Sequence, residues 1–184
     1  ITDLQAAVTE AQRIAPGNPR GKEAAQFITE WRKQIETVQD APYLNAAEKF
    51  AADGTPQGVQ NAIAQLNQIK SGRALYPQAQ QKIQQLTADV QRTEDGPILA
   101  QAEKLASNGD LTAAVAMAQR IGKGRVMSAQ AKERIGDWQG QLQAAANLAA
   151  AQKLANTGSP ESLLGAIKAA ARIPKSSALR SHGR

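Results

Sequence analysis

The chain contains no cysteine, one histidine and six aromatic residues among its 184. Without cysteine there is no disulfide framework, no thiolate nucleophile and no cysteine-built zinc site, although the compartment stays open. The histidine is His182, close to the last residue. Neither a His–carboxylate catalytic pair nor a multi-histidine metal site can be built around it, so no cofactor and no metal site is expected. Aromatic side chains at 3% are thin for a base-stacking nucleic-acid surface. No apolar run approaches the ~18 residues of a membrane-spanning helix. The opening Ile1-Thr2-Asp3-Leu4 has no basic region, no apolar region and no initiator methionine. It does not read as a signal peptide, and the missing methionine predicts a processed form or a piece of a longer chain.

What the chain has in abundance is 37 alanines and 22 glutamines. Both are good helix formers, so an all-α fold is expected. Self-similarity sharpens that expectation. The pair Ala62-Ile63 recurs as Ala114-Val115 and Ala166-Ile167 in steps of 52 residues, with Ala7-Val8 a further 55 upstream. A second anchor keeps the same register through Ile14, Ile69, Ile121 and Ile173, and a third through Ile28/Trp31, Ile83/Leu86 and Ile135/Trp138. Three anchors drifting together define an internal repeat.

Each unit reads as three helical segments. The first carries Leu44, Ala47, Phe50 and Ala51 before Gly54, with counterparts Leu99, Ala102, Leu105 and Ala106 before Gly109, and Leu148, Ala151, Leu154 and Ala155 before Gly158. That spacing is one helical stripe closed by a glycine cap. The second starts at Thr55-Pro56, Asp110 or Ser159-Pro160, a polar N-cap with proline in first position at two of the three. The third bears Ala24, Ile28, Trp31 and Ile35, then Ala79, Ile83, Leu86 and Val90, then Ala131, Ile135, Trp138 and Leu142, all on one helical face. Trp31 and Trp138 read as core residues. Asp40-Ala41-Pro42 and Asp95-Gly96-Pro97 predict a kink or break between the third segment and the next first one, while the shorter junction from Gln141 to Gln152 predicts near-continuous helix. The expected architecture is a helical-repeat solenoid of three-helix units with a period of about 52 residues. It divides as a partial unit at 1–40, units at 41–95 and 96–146, and a partial unit at 147–184, with the repeat cut at both ends. A single unit buries too little surface to offset its chain entropy, so neighbours must stack.

The hairpin of first and second segments resembles the tetratricopeptide repeat, through Ala102, Leu105, Gly109-Asp110-Leu111, Ala114-Val115 and Ala118, and through Gly54 with Ala62-Ile63 and Gly158 with Ala166-Ile167. The match covers about half of each unit. The runs from Ala102 to Ile121 and from Ala129 to Trp138 are also similar to Ala/Gln-rich repeat segments of large cyanobacterial proteins. Both resemblances imply a binding or scaffolding solenoid without inherited catalytic residues.

The net charge of +6 is unevenly placed. Basic residues gather at the junctions between second and third segments: Arg13, Arg20 and Lys22, then Lys70 and Arg73, then Arg120, Lys123 and Arg125, then Arg172, Lys175 and Arg180. Acidic residues favour the other end of the unit, as with Glu36, Asp40, Glu94 and Asp95. Two readings stand side by side. Cations late in a helix compensate its dipole. Alternatively, Arg20, Lys22, Lys70, Arg73, Lys123, Arg125, Lys175 and Arg180 form a basic edge for an anionic membrane surface or nucleic acid. Tyr43 and Tyr76 flank junctions as candidate exposed contacts for a protein partner. Gly122-Lys123-Gly124-Arg125 lacks the spacing of a phosphate loop and reads as a helix–helix turn. No nucleophile–base pair stands out, so the expectation is a non-enzymatic scaffold or spacer for protein–protein interaction, with the basic-edge adaptor as the alternative.

Overall fold

A computed structural model describes residues 1–173. Among them are seven helices and no strand: α1 (Thr2–Gln12), α2 (Gly21–Ala52), α3 (Pro56–Leu66), α4 (Tyr76–Ser107), α5 (Leu111–Ala118), α6 (Ser128–Ala155) and α7 (Pro160–Ala171). The chain is all-α. It divides into two compact units, one ending at Val90 and the other beginning at Gln91. No described helix is long and apolar enough to cross a membrane.

The short helices start where their caps dictate. Thr55 accepts a hydrogen bond from the Gly58 amide at 2.9 Å, Asp110 from Ala113 at 2.9 Å and Ser159 from Ser162 at 3.1 Å, each satisfying one of the amides that a helix start leaves open. Gly54, Gly109 and Gly158 precede them with φ of 67°, 87° and 72°, the left-handed conformation that a side chain disfavours. Gly58 meets a different demand. A Cβ there would sit 2.5 Å from the Phe50 carbonyl oxygen, so only glycine lets the start of α3 lie against the end of α2.

The three-helix unit is not what forms. At the first two junctions the expected kink or break is absent and the third and first segments fuse into α2 and α4, of 32 residues each; at the third the expected near-continuous helix is present as α6, of 28. The expected unit edges at 40/41, 95/96 and 146/147 accordingly fall inside α2, α4 and α6. Pro42 and Pro97 lie within helices and break neither. A proline removes one hydrogen bond from the ladder. At Pro42 the orphaned carbonyl belongs to Val38, which is 53% exposed, so water can reach it. Apolar residues on both sides of the proline hold the helix through that gap: Ala24 before it, Leu44 and Ala47 after it.

In the first unit α2 packs against α1 and α3. Its core joins Leu44 and Ala47 of α2, Ala62 and Leu66 of α3, Ile69 of the following turn and Ala79 of α4. In the second unit α6 packs against α5 and α7. One cluster there joins Ala102, Ala114, Ala118 and Trp138, and a second joins Leu99, Ile121 and Ala131. Alanines occupy the tightest places: Ala47, Ala62, Ala79, Ala102, Ala114 and Ala118 have no exposed surface. Bulkier members of the expected stripes are displaced to the margin of these contacts, Phe50 at 39% exposure and Leu154 at 37%. Trp138 is buried as expected, whereas Trp31 is half-buried and stacks on Phe27 at 5.4 Å between ring centroids.

A proline inside a helix costs about 3 kcal/mol, of which its stiffening of the unfolded chain offsets up to about 1 kcal/mol. Pro42→Ala is therefore expected to raise stability by about 1–2 kcal/mol in urea unfolding. A proline marking a true break between helices would instead leave stability unchanged or lowered on the same substitution.

Candidate interaction surface

The polar groups with the most defined geometry lie where a short turn meets the middle of a long helix. In the first unit the turn from α3 to α4 carries Arg73. Its Nε donates to Asp40 Oδ2 at 2.6 Å and its Nη2 to Gln39 Oε1 at 2.9 Å. The next residue extends the contact, because the Ala74 amide donates to Glu36 Oε2 at 2.9 Å. In the second unit the turn from α5 to α6 carries Arg125. Its Nε donates to both carboxylate oxygens of Asp95 at 2.9 and 2.7 Å, and its Nη2 to Glu94 Oε2 at 2.6 Å. The Val126 amide again follows, donating to Gln91 Oε1 at 2.9 Å.

The sequence places these groups alike. Asp40 and Asp95 each stand four residues before a buried leucine, Leu44 and Leu99, and Arg73 and Arg125 each stand four after a buried isoleucine, Ile69 and Ile121. Both aspartates are buried, with 4% and 2% of their surface exposed, while the two arginine side chains are about a third exposed. A carboxylate taken out of water demands an opposite charge and hydrogen-bond donors, and the guanidinium supplies both from the rim. The hydrogen bond to Asp40 holds the Arg73 guanidinium above its ordinary pKa, aided by the charges of Asp40 and Glu36 and opposed by partial desolvation. Hydrogen bonds to Asp95 and then Glu94 do the same for Arg125. A folded-state pKa raised in this way contributes stability in full below the ordinary guanidinium value and loses it only as pH rises through the folded value.

No protein-family model, curated protein or solved structure matches this chain.

Of the residues proposed for a basic edge, Arg73 and Arg125 are thus turned to internal partners, which corrects their assignment as cations free for an outside ligand. The acidic groups expected at the opposite end of the unit are the ones they meet. The reason is the fused helix: in α2 and α4, Asp40 and Asp95 stand mid-helix, and the turn at the end of the next short helix, after α3 or α5, returns to them. Arg20, Lys22, Lys70 and Lys123 are exposed, Lys70 donating to the Asn67 carbonyl at 3.4 Å. Lys175 and Arg180 lie outside the described residues, as does His182. Tyr43 is 37% exposed. Tyr76 packs partly buried against the first unit's core and so is not a free contact. Gly122-Lys123-Gly124-Arg125 forms the turn before α6, with Gly124 at φ 82°. Among the described residues no group of His, Cys, Asp and Glu gathers in a way that could hold a metal ion.

Sequence reasoning missed the pairing of Asp40 with Arg73 and of Asp95 with Arg125, although the signal was present. An aspartate two residues before a proline recurs after 55 residues, and an arginine four after the anchor isoleucine recurs after 52. The third register confirms that the two positions travel together. Ala144, 1% exposed, stands four before Leu148 where an aspartate would be, and Ser177, outside the described residues, stands four after Ile173 in place of an arginine.

Arg73→Met strands the buried Asp40 carboxylate. The expected loss is about 1–3 kcal/mol in urea unfolding, towards the lower end because the vacated rim admits water. Asp40→Leu added to Arg73→Met is expected to recover part of that loss, and the double-mutant cycle reads the coupling directly.

Proposed function

We propose that this chain is a non-catalytic helical-repeat scaffold or spacer for protein–protein interaction, an α-solenoid whose hairpins recur at a period of about 52 residues. The observation that carries this reading is the repeated clasp. In both units the best-organised charged groups are spent on each other, tying a turn to a long helix. Chemistry that recurs in order to join helices is what an array needs, since each unit is stabilised by its neighbours and binding surfaces are assembled across units. The tetratricopeptide-like pattern of the short hairpins belongs to the same reading. So does the half-exposed stack of Phe27 on Trp31, an apolar surface of the kind that protein partners cover.

The basic-edge adaptor is the second reading, favoured by the exposure of Arg20, Lys22, Lys70 and Lys123. It is weakened by the internal pairing of Arg73 and Arg125, which leaves fewer cations for counterion-releasing contacts.

Small-angle X-ray scattering tests the architecture. A compact chain of this length has a radius of gyration of about 16 Å, and a solenoid is expected to exceed it clearly. A salt series with phosphatidylserine vesicles and with random duplex DNA tests the choice between readings. The scaffold predicts negligible binding at about 0.15 M salt. Binding that falls steeply with salt and disappears in an Arg20→Glu, Lys22→Glu, Lys123→Glu variant with unchanged helicity would instead establish the adaptor.

A further inference from the structure

The chain has no cysteine, so its oxidisable sulfurs are those of two methionines, Met117 and Met127. Both lie in the second unit, and residues 1–90 contain no sulfur. The repeat shows what each methionine replaces. Met127 stands 52 residues after Leu75, and Met117 stands 52 after Gln65. One of these positions is apolar in the sulfur-free unit, and the other is polar.

The surroundings keep that distinction. Leu75 packs against the first core cluster, which includes Leu44, Ile69 and Ala79. Met127 packs against the counterparts of those three, Leu99, Ile121 and Ala131. The carbonyl of each residue accepts the amide four residues on, Ala79 or Ala131, at 2.9 Å, where the long helix begins. Met117 instead offers its Sδ to a guanidinium, Arg120 Nη1 donating to it at 3.3 Å. Met127 is also joined to the clasp through the backbone. Two residues before it Arg125 holds Asp95, and directly before it the Val126 amide donates to Gln91. Met127 is partly exposed, so a small oxidant can reach it.

We propose that Met127 is a site of reversible oxidation by peroxides, and that its sulfoxide releases the second clasp while the first stays closed. In that step the thioether sulfur attacks one peroxide oxygen, and the S–O bond forms as the O–O bond breaks. The proton on the transferred oxygen passes to the departing hydroxide, which leaves as water. Sulfur gives up the two electrons that the peroxide gains. A polar sulfoxide then stands in place of an apolar thioether. Held against Leu99, Ile121 and Ala131, its oxygen finds no donor among those side chains, and its burial is costly. The side chain turns outward, and the start of α6 shifts with it. Arg125 and Val126, on the same short turn, lose their hold on Asp95 and Gln91. A sulfoxide at Met117 is tolerated, because Arg120 can donate to its oxygen and Gln65 fills the same place with a polar group in the first unit. Sulfoxide reductases that draw on a dithiol return the thioether and close the clasp.

The test treats the full chain with hydrogen peroxide, locates sulfoxides by peptide mass spectrometry and follows amide hydrogen exchange in both turns. Oxidation is expected to speed exchange across residues 122–131 by about tenfold and to leave residues 70–79 unchanged. Met117→Gln, which leaves Met127 as the sole sulfur, is expected to preserve the effect. Met127→Leu, which installs the residue of the first unit, is expected to abolish it. Reductases for both sulfoxide epimers, supplied with a dithiol, are expected to restore slow exchange. Unchanged exchange in a Met117→Gln chain that carries the sulfoxide at Met127 would overturn the proposal. So would fast exchange in the oxidised Met127→Leu chain, or equal loosening of both turns, the mark of general damage. A folded chain that gains oxygen at Met117 and none at Met127 would overturn it as well.

Discussion

The structure depends on how closely its helices approach one another. Six alanines among the described residues have no exposed surface and sit where helices meet. Close approach at these points makes the backbones themselves part of the packing, which is why Gly58 tolerates no Cβ beside the Phe50 carbonyl. The large residues then have only the flanks of each contact to fill. Leu66, Ile69 and Trp138 find room there, and Phe50 does not. An alanine-rich composition in this chain is thus a packing specification as well as a helix-forming one.

Close packing alone would let long helices slide, because alanine surfaces are smooth. The clasps supply register. A buried carboxylate near the middle of α2 or α4 has one position at which a guanidinium and a backbone amide from the turn after α3 or α5 reach its neighbourhood together. Sliding the helix by a turn would leave the carboxylate buried and unpaired, a far larger penalty than any loss of alanine contact. Specificity of alignment and tightness of contact therefore come from different residues.

Much of this was legible in the residues. The all-α class followed from alanine and glutamine, the short helices from Thr55, Asp110 and Ser159 as caps, and the buried stripes from spacing. The prolines misled, because Pro42 and Pro97 break helices only where packing does not carry the chain across, and Leu44, Ala47 and Leu99 are buried beside them. That one misreading also hid the clasps. With a break at Pro42, Asp40 belongs to a remote end, and with a continuous helix it stands beneath Arg73. Charge placement along a sequence has meaning only once the helices that carry the charges have been correctly joined.

The two tryptophans fall one to each unit, and their surroundings differ. Trp138 is enclosed among alanines and aliphatic side chains, and Trp31 lies half open against Phe27. Their emission spectra must therefore separate, the enclosed indole to shorter wavelength and the open one to longer. The chain consequently carries its own pair of optical reporters, one for each unit. Unfolding that begins in one half would shift one band before the other, so the cooperativity of the whole can be read from native fluorescence without any added label.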